Sequence, residues 1–405
     1  MTRFVPTSID ELREAIAAAL AAEEPVELVA GGTKRGLGRP LQTPHLVDLT
    51  RLSGIRDYAP NELVLTAGAA TPLTAIDRAL NAAGQMLAFE PPDWRALLGQ
   101  AHGSQTLGGI IACNLSGPRR IKAGAARDHF LGFEAVTGRG ELMKAGGKVV
   151  KNVTGYDLPK LMAGSYGTLA ALAEVTVKVL PRPETAATVL ICGVAPDEAV
   201  RLMSAALGSP HEVSGAAYLP PGAPRAAPLP AAAGVIALRV EGPAPSVAYR
   251  REALLAELAS GGETAALGEA ETAVLWRDIA NVAPLAGLAD RAVWRVSVAP
   301  SRGAEVAQTV ARLVDTVWFL DWGGGLVWLA VIEPGDGGAA VIRAAVGAPM
   351  ENGGHATLVR GSPGLRAAVP VFEPQPGPLA ALSRRVKESF DPRHVLNPGR
   401  MVEGV

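Results

Sequence analysis

The run Leu107-Gly108-Gly109-Ile110-Ile111-Ala112-Cys113-Asn114, followed by Ser116-Gly117, places two adjacent glycines and an asparagine in an apolar stretch. A glycine has no Cβ, so its backbone can reach positive φ and approach a ligand that a side chain would hold away. A second glycine-rich stretch, Ala30-Gly31-Gly32-Thr33-Lys34-Arg35-Gly36-Leu37-Gly38, follows a short apolar run and carries two cations. The two stretches predict two loops that cradle a diphosphate.

Neither stretch has the spacing of a known nucleotide motif. The run from Gly31 to Gly38 lacks the G-x-G-x-x-G pattern, and no G-x-x-x-x-G-K-[ST] occurs in the chain. Taken alone, each stretch is more often an ordinary turn than a ligand site. Further motifs follow in order, namely Arg127-Asp128-His129, Phe133-Glu134-Ala135-Val136, Lys151-Asn152-Val153-Thr154-Gly155-Tyr156-Asp157-Leu158, Ala163-Gly164-Ser165-Tyr166-Gly167-Thr168-Leu169 and Glu174-Val175-Thr176-Val177-Lys178-Val179.

This ordered set resembles the FAD-linked oxidases of the vanillyl-alcohol oxidase and p-cresol methylhydroxylase (PCMH) type. The resemblance covers about residues 1–184 and returns in Phe390-Asp391-Pro392-Arg393-His394-Val395-Leu396-Asn397-Pro398-Gly399-Arg400-Met401. Within that family, three segments are most similar to the FAD-binding subunits of bacterial glycolate oxidases: Gly31-Gly32-Thr33-Lys34, Asp321-Trp322-Gly323-Gly324-Gly325 and Gly353-Gly354-His355-Ala356-Thr357-Leu358.

The resemblance implies non-covalent FAD, since neither stretch has a His or Cys where attachment is customary. Lys34 or Arg35 would add positive charge beside the diphosphate. Tyr166 stands where many relatives have Glu, so that contact does not carry over. The residues implied to bind FAD are Gly31, Gly32, Thr33, Lys34, Gly108, Gly109, Ala112, Asn114, Gly117, Gly164, Ser165, Gly167 and Thr168.

The resemblance also implies partners: a larger catalytic FAD subunit and an iron–sulfur subunit that passes electrons onward. Only Cys113 and Cys192 are present, too few for a four-cysteine cluster, which agrees with electron exit through a partner. A net charge of −1 argues against nucleic-acid binding. No apolar run of about 18 residues occurs, so we expect a cytoplasmic protein that reaches the inner face of the membrane only through the complex.

Composition and periodicity predict an α+β protein with a domain boundary near residue 184. The resemblance implies a PCMH-type FAD-binding domain over 1–184, a cap or substrate domain over 185–375, and a C-terminal segment, 376–405, that returns to the FAD domain. Pro181 and Pro183 end the last strand of the first domain. The cap is expected to contain two ferredoxin-like βαββαβ repeats that join into one antiparallel sheet. The predicted cap elements are strands 187–193, 213–218, 234–241, 263–268, 292–298, 316–320, 325–332 and 355–360 and helices 196–207, 245–260, 303–314 and 338–346.

The same patterns predict a helix over 8–23, which Ser8-Ile9-Asp10-Glu11 would cap. Strands are expected at 26–29, 46–49, 62–67 and 169–181, and a helix at 71–83. The proline- and alanine-rich stretch 219–233 is expected to be a loop inserted in the first repeat.

The catalytic residues stay open at this stage. Relatives that oxidise 2-hydroxy acids alone carry a His-rich motif in the substrate domain, and the segment from Gly323 to Gly338 has no His. His355 is the one candidate base, although a structural role is the more common outcome for such a His. The candidates for binding a substrate carboxylate are Arg295, Arg343 and Arg360.

Two neighbouring motifs have a structural and a functional interpretation. Arg127 and Asp128 are expected to form a structural salt bridge, whereas Asn152, Thr154 and Tyr156 either bind the cofactor or close a turn. Three functions remain: an FAD subunit of a complex that oxidises glycolate to glyoxylate, a self-sufficient FAD-dependent 2-hydroxy-acid dehydrogenase, and a scaffold without flavin.

Overall fold

Two β-sheets contain most of the extended chain in the structure, a computed structural model that describes residues 2–100, 102–147, 156–224, 229, 233–333, 335–347 and 353–403. The first has five antiparallel strands and the second has eight. The predicted motif at 151–155 lies outside the described residues, as does part of the predicted loop 219–233.

The first sheet is formed before residue 179, in the strand order β4-β5-β9-β7-β8. A small parallel sheet, β1-β3-β2, lies beside it, and β6 pairs with β10. The strands are β1 (Thr2–Phe4), β2 (Val26–Val29), β3 (His45–Asp48), β4 (Ile55–Ala59), β5 (Val64–Gly68), β6 (Gln85–Met86), β7 (Phe130–Thr137), β8 (Leu142–Gly146), β9 (Ala170–Lys178) and β10 (Leu180–Pro181); the helices are α1 (Ile9–Ala22), α2 (Leu73–Ala82), α3 (Leu107–Cys113), α4 (Arg120–Ala123), α5 (Ala126–His129) and α6 (Leu158–Met162).

Helix α1 shows how local sequence produces the predicted element. The Ser8 hydroxyl accepts a hydrogen bond from the Glu11 N–H at 3.2 Å, which caps the helix as expected. Leu12, Ile16 and Ala19 recur at helical spacing and are buried. The helix therefore covers one face of the small sheet and contributes to a core with β2 and β3.

The second sheet has the strand order β14-β11-β13-β12-β16-β17-β15-β18. Each half follows the ferredoxin-like order 4-1-3-2, and the halves meet at the second strand of each, where Tyr218 pairs with Leu320. The predicted pair of repeats is confirmed. Its strands are β11 (Thr185–Cys192), β12 (Gly215–Leu219), β13 (Val235–Gly242), β14 (Glu263–Leu267), β15 (Arg291–Ser297), β16 (Thr316–Asp321), β17 (Leu326–Ile332) and β18 (His355–Arg360); its helices are α7 (Pro196–Gly208), α8 (Ala244–Glu257), α9 (Glu269–Ala280), α10 (Ala283–Ala286), α11 (Gly303–Leu313), α12 (Ala339–Val346) and α13 (Pro363–Ala368).

Helix α9 connects the repeats and was not predicted. It buries Leu275, Trp276 and Ile279, and the Trp276 Nε1–H donates to the Thr188 hydroxyl at 2.9 Å. The helical spacing of these residues was a usable signal. No helix in the described part of the chain is long and apolar enough to cross a membrane.

Buried ion pairs join the first sheet region to the second. The Arg239 Nη1 lies 2.7 Å from the Glu90 Oε1, and the Arg119 Nη2 lies 2.8 Å from the Glu241 Oε1. Arg239 is 2% exposed. Because unpaired buried charges are costly, these contacts hold the two regions in one relative position. We keep the proposed boundary near residue 184, since it falls between β10 and β11.

The C-terminal segment packs against the first part of the chain. It begins with helix α14 (Gly377–Phe390), and the Val26 N–H donates to the Val395 carbonyl at 2.8 Å. The buried Lys387 ammonium lies 2.6 Å from the Asp391 carboxylate and also donates to the Thr168 carbonyl at 2.7 Å.

Candidate functional site

A cleft of about 770 Å³ lies where β2, α3 and the C-terminal segment meet. We call it the glycine cleft; it is lined by Leu28, Val29, Ala30, Gly31, Gly32, Thr33, Lys34, Arg35, Leu49, Ala69, Thr106, Gly108, Gly109, Ala112, Cys113, Tyr166, Gly167, Ala170, Leu172, Asn397 and Arg400. Eight residues implied to bind FAD are among them: Gly31, Gly32, Thr33, Lys34, Gly108, Gly109, Ala112 and Gly167.

The turn from Gly31 to Lys34 presents bare backbone to the cleft. Gly32 has φ +74°, and a Cβ on Gly31 would lie 1.7 Å from the Ser104 carbonyl oxygen. Within the described residues, none of the four backbone N–H groups of this turn donates a hydrogen bond to the protein. Consecutive unbonded N–H groups form a concavity that binds anions. The turn therefore fits a diphosphate.

Two cations beside this turn lack a short ion pair: Lys34 has no carboxylate within 4.0 Å among the described residues, and the Arg400 Nη1 lies 3.9 Å from the Glu27 Oε1. The Lys34 Nζ donates to the Thr33 hydroxyl at 3.1 Å and to the Gln105 Oε1 at 2.8 Å, and burial lowers the pKa of Lys34 to about 8. Arg400 is 8% exposed, its Nε–H has no partner among the described residues, and burial lowers its pKa. An anion in the cleft would stabilise both charges.

Arg35 also lines the cleft but has a carboxylate partner. Its Nε donates to the Glu27 Oε1 at 2.8 Å. That hydrogen bond raises the pKa of Arg35. Of the two cations that the sequence offered for the diphosphate, Lys34 is therefore the one without an ion pair.

The stretch 107–114 is not the loop that its glycines suggested. It forms helix α3, because the Thr106 hydroxyl caps it and Leu107, Ile110 and Ile111 are buried at helical spacing. The Gly108 N–H donates to the Ala69 carbonyl at 2.7 Å, so this group is not available to a ligand.

The two glycines of α3 have different roles in packing. A Cβ on Gly108 would lie 2.8 Å from the Ala69 Cβ, so Gly108 allows the helix to approach β5 closely. Gly109 has a helical rather than a left-handed backbone. A Cβ on Gly109 would meet only the Thr106 hydroxyl, at 3.0 Å, and the Lys34 Cγ, at 4.0 Å. Gly109 thus leaves one wall of the cleft open.

Two of the residues implied to bind FAD lie beside α3 and do not line the cleft. Asn114 ends the helix at φ 49°, and its Oδ1 accepts from the Arg127 N–H at 3.0 Å. Gly117 donates to the Phe89 carbonyl and accepts from the Trp322 Nε1–H at 3.2 Å. Their contact with FAD stays a prediction.

Three more of these residues lie in the turn after α6. Gly164 donates to the Ile111 carbonyl at 3.1 Å, and the Thr168 hydroxyl donates to the Ser165 carbonyl at 2.7 Å. These bonds form the segment that brings Tyr166 and Gly167 to the cleft. Their direct contact with FAD also stays a prediction.

Asn397 and Arg400 line the cleft and were not predicted from the sequence. Asn397 lies at φ 43° and bonds to both β2 and the Tyr166 turn. The signal was present in Asn397-Pro398-Gly399-Arg400, a turn motif in the closing segment. Its position at the cleft depends on a tertiary contact.

The structure separates the three candidate arginines by their partners. Arg360 donates to backbone carbonyls, among them those of Leu97 and Ala286 at 3.1 Å each. Arg343 donates to the carbonyls of Pro370 and Phe372, and its Nε lies 3.8 Å from the Glu373 carboxylate. Both are structural. The Arg295 guanidinium forms no hydrogen bond or ion pair among the described residues, and its central carbon lies 5.1 Å from the ring centroid of Trp322.

The remaining candidates are placed as follows. His355 begins β18 and is exposed at the surface; partial loss of solvent around its ring, and then Arg295 and Arg120, lower its pKa. The expected salt bridge between Arg127 and Asp128 is absent within the described residues; Asp128 instead accepts from the Ala125 N–H at 2.8 Å, because it caps α5. Tyr156 is 94% exposed, and 152 and 154 lie outside the described residues. No cluster of three metal-ligating side chains occurs in the described part.

Comparisons with known proteins agree with this geometry. Residues 3–146 match a family model described as an FAD binding domain. The chain is 34% identical to glycolate oxidase subunit GlcE of Escherichia coli over 391 residues, 96% of each chain. It is 42% identical to glycolate oxidase subunit GlcD of Bacillus subtilis over 102 residues, 25% of this chain and 21% of that protein.

Among solved structures, p-cresol methylhydroxylase with bound substrate superimposes with a TM-score of 0.70 at 13% identity, covering 99% of this chain and 88% of that one. This likeness confirms the PCMH-type FAD-binding fold with an antiparallel cap sheet. Because the GlcE match spans nearly the full length of both proteins, the chain belongs to the GlcE family of glycolate oxidase subunits, within the FAD-linked oxidoreductases of the PCMH and vanillyl-alcohol oxidase type.

Proposed function

We propose that this chain is the FAD-binding subunit of a complex that oxidises glycolate to glyoxylate, and that it holds FAD without a covalent bond. The observation that carries the proposal is the glycine cleft, where the unbonded N–H groups of the Gly31–Lys34 turn lie beside Lys34 and Arg400. The full-length similarity to glycolate oxidase subunit GlcE supports the choice of complex.

Each part of the cleft would hold a different part of the cofactor. The Gly31–Lys34 turn donates to the diphosphate, and Lys34 and Arg400 balance its two negative charges. The bare side of Gly109 and the small Ala112 leave room for a flat ring. Bound FAD would supply a two-electron acceptor at this position.

Electron exit is the reason to expect partners. The chain has only Cys113 and Cys192, so a four-cysteine iron–sulfur cluster cannot form from it. We propose that electrons leave through an iron–sulfur subunit and that a larger FAD subunit carries out the substrate oxidation. Any contact with the membrane would then be made through the complex.

A second candidate is a self-sufficient FAD-dependent 2-hydroxy-acid dehydrogenase. It is favoured by the position of His355, whose electrostatic neighbours are Arg295 and Arg120. A His with a lowered pKa is neutral at neutral pH and can accept a proton.

Anaerobic mixing with glycolate separates the two candidates. The visible spectrum of the purified chain should show flavin, and glycolate should bleach it at a useful rate only in the reconstituted complex. Rapid bleaching of the chain alone would replace the first candidate by the second. A chain that takes up no flavin under any preparation would contradict both.

A further inference from the structure

Two arginines from distant parts of the chain lie against one tryptophan ring. The Arg120 guanidinium carbon is 4.2 Å from the Trp322 ring centroid, and that of Arg295 is 5.1 Å away. Arg120 comes from α4 and Arg295 from β15, the strand next to the edge strand β18 of the second sheet. Trp322 is 7% exposed, and its Nε1–H donates to the Gly117 carbonyl. The ring is therefore held in place between the two sheet regions.

Apart from the Trp322 ring, neither guanidinium has a polar partner in the described part of the chain. No carboxylate lies within 4.0 Å of either one, and neither donates a hydrogen bond. The adjacent Arg119, by contrast, donates to Glu241 at 2.8 Å and 3.0 Å. Burial and the neighbouring Arg120 lower the pKa of Arg295 to about 10, and burial lowers that of Arg120. Two partly buried like charges without an ion pair in the described part of the chain are costly to fold, and a bound anion would lower that cost.

Other ionisable groups also act on this pair, and for Arg120 they are Asp128 and Arg127. Asp321 and Tyr166 are the acidic groups that act on Arg295, and the buried Asp321 has a pKa raised to about 7 by burial. His355 is an exposed neighbour of the pair, and both arginines contribute to its lowered pKa. Tyr166 also lines the glycine cleft, so one of the groups that act on Arg295 belongs to that cleft.

We propose that Arg120 and Arg295, which both lie against the Trp322 ring, bind the carboxylate of a small 2-hydroxy or 2-oxo acid. This inference rests on the proposed function, because the acid that the pair would bind is the substrate or product of the proposed complex. A carboxylate is planar and matches the paired N–H groups of a guanidinium. The diphosphate of FAD does not need this pair, since the Gly31–Lys34 turn, Lys34 and Arg400 already offer it donors and charge.

Oxalate is a suitable probe, because it carries the same carboxylate and cannot donate a hydride. Calorimetric titration of the FAD-loaded chain, and of the reconstituted complex, should detect saturable binding of oxalate. Glyoxylate should displace the bound oxalate. Arg120→Met and Arg295→Met should each weaken oxalate binding by about tenfold or more, the usual effect of losing a charge-assisted bond. Arg127→Met is the matched control: it removes an exposed charge close to α4 without touching Trp322, and should bind oxalate like the parent.

Each alternative result has a defined meaning. Parent protein that binds no oxalate, or Met variants that bind it as the parent does, would overturn the proposal. Loss of FAD from the Met variants would assign the pair to the flavin and overturn it as well. If a Met variant fails to fold, Arg295→Lys and Arg120→Lys test the proposal instead. Lysine keeps the positive charge but lacks the planar guanidinium, so these variants should bind oxalate more weakly than the parent but still detectably. Oxalate binding at this site in a complex that does not oxidise glycolate would keep the subsite and reject the proposed function.

Discussion

The side-chain amide nitrogen of Asn397 donates a hydrogen bond of 2.8 Å to the backbone carbonyl of Tyr166, although 231 positions separate the two residues. The same side chain accepts from the Leu28 N–H at 2.8 Å. A Cβ on Gly167 would lie 2.8 Å from the Asn397 amide nitrogen, so a glycine is required beside it. One side chain thus joins two walls of the glycine cleft.

Replacing Asn397 by Ala should lower the free energy of unfolding by about 2–4 kcal/mol, because it leaves the Leu28 N–H and the Tyr166 carbonyl unsatisfied. Urea denaturation measures the change, and flavin content reports the cleft. Asn397→Gly is the control for backbone strain, since glycine adopts the observed φ of 43° freely. A glycine variant as stable as the parent would show that the hydrogen bonds contribute little.

Gly31→Ala should reduce FAD occupancy and destabilise the chain by about 1–3 kcal/mol, as overpacking does. The new Cβ would lie 1.7 Å from the Ser104 carbonyl oxygen, so the turn has to move. Gly36→Ala is a matched control in the same stretch, where the nearest atom is 3.6 Å away. The ratio of flavin to protein absorbance gives occupancy. Equal occupancy in the two variants would mean that the turn does not bind the diphosphate.

FAD affinity should fall as pH rises through about 8. Burial lowers the pKa of Lys34 to about 8 in the free chain, and a bound diphosphate favours the protonated amine, so binding is coupled to proton uptake above that pH. Fluorescence titrations on both sides of pH 8 measure the slope, which is at most tenfold per pH unit for one proton. Lys34→Met should bind more weakly with a flat profile in this range; an unchanged slope would assign it to another group.

The buried pair of Lys387 and Asp391 should be costly to break. Their charges lie 2.6 Å apart, with side chains 3% and 0% exposed. Lys387→Met leaves the carboxylate without its cation and should cost about 3–5 kcal/mol in urea unfolding. Lys160→Met breaks an exposed pair with Asp157, so it should cost about 0–1 kcal/mol. A similar small loss in both variants would contradict this assignment.

Acid precipitation should release all of the yellow colour into the supernatant, since we propose non-covalent FAD. Cys113, the one cysteine that lines the glycine cleft, has a pKa raised to about 11 by burial, which keeps its thiol protonated and unreactive. Colour that stays with the pellet would show a covalent bond, and digestion would locate the attached residue.

Local sequence determined most of the elements of the cap. The alternation of β11 to β18 and the apolar spacing of α7, α8, α11 and α12 were readable because each depends on neighbours a few residues away. Helix α3 was misread, since adjacent glycines suggest a loop. Burial of Ile110 and Ile111 and the Thr106 cap outweigh the poor helix propensity of those glycines.

The chain itself sets its composition, its two cysteines and its two βαββαβ repeats. Only the tertiary structure distinguishes Arg295 from Arg343 and Arg360, because the three arginines have the same chemistry and differ in what packs around them. Arg343 and Arg360 donate to backbone carbonyls, whereas Arg295 lies against a tryptophan ring. It also brought Asn397 to Tyr166. Periodicity describes which face of an element is buried, whereas a partner hundreds of positions away is chosen by how the sheets and the C-terminal segment pack.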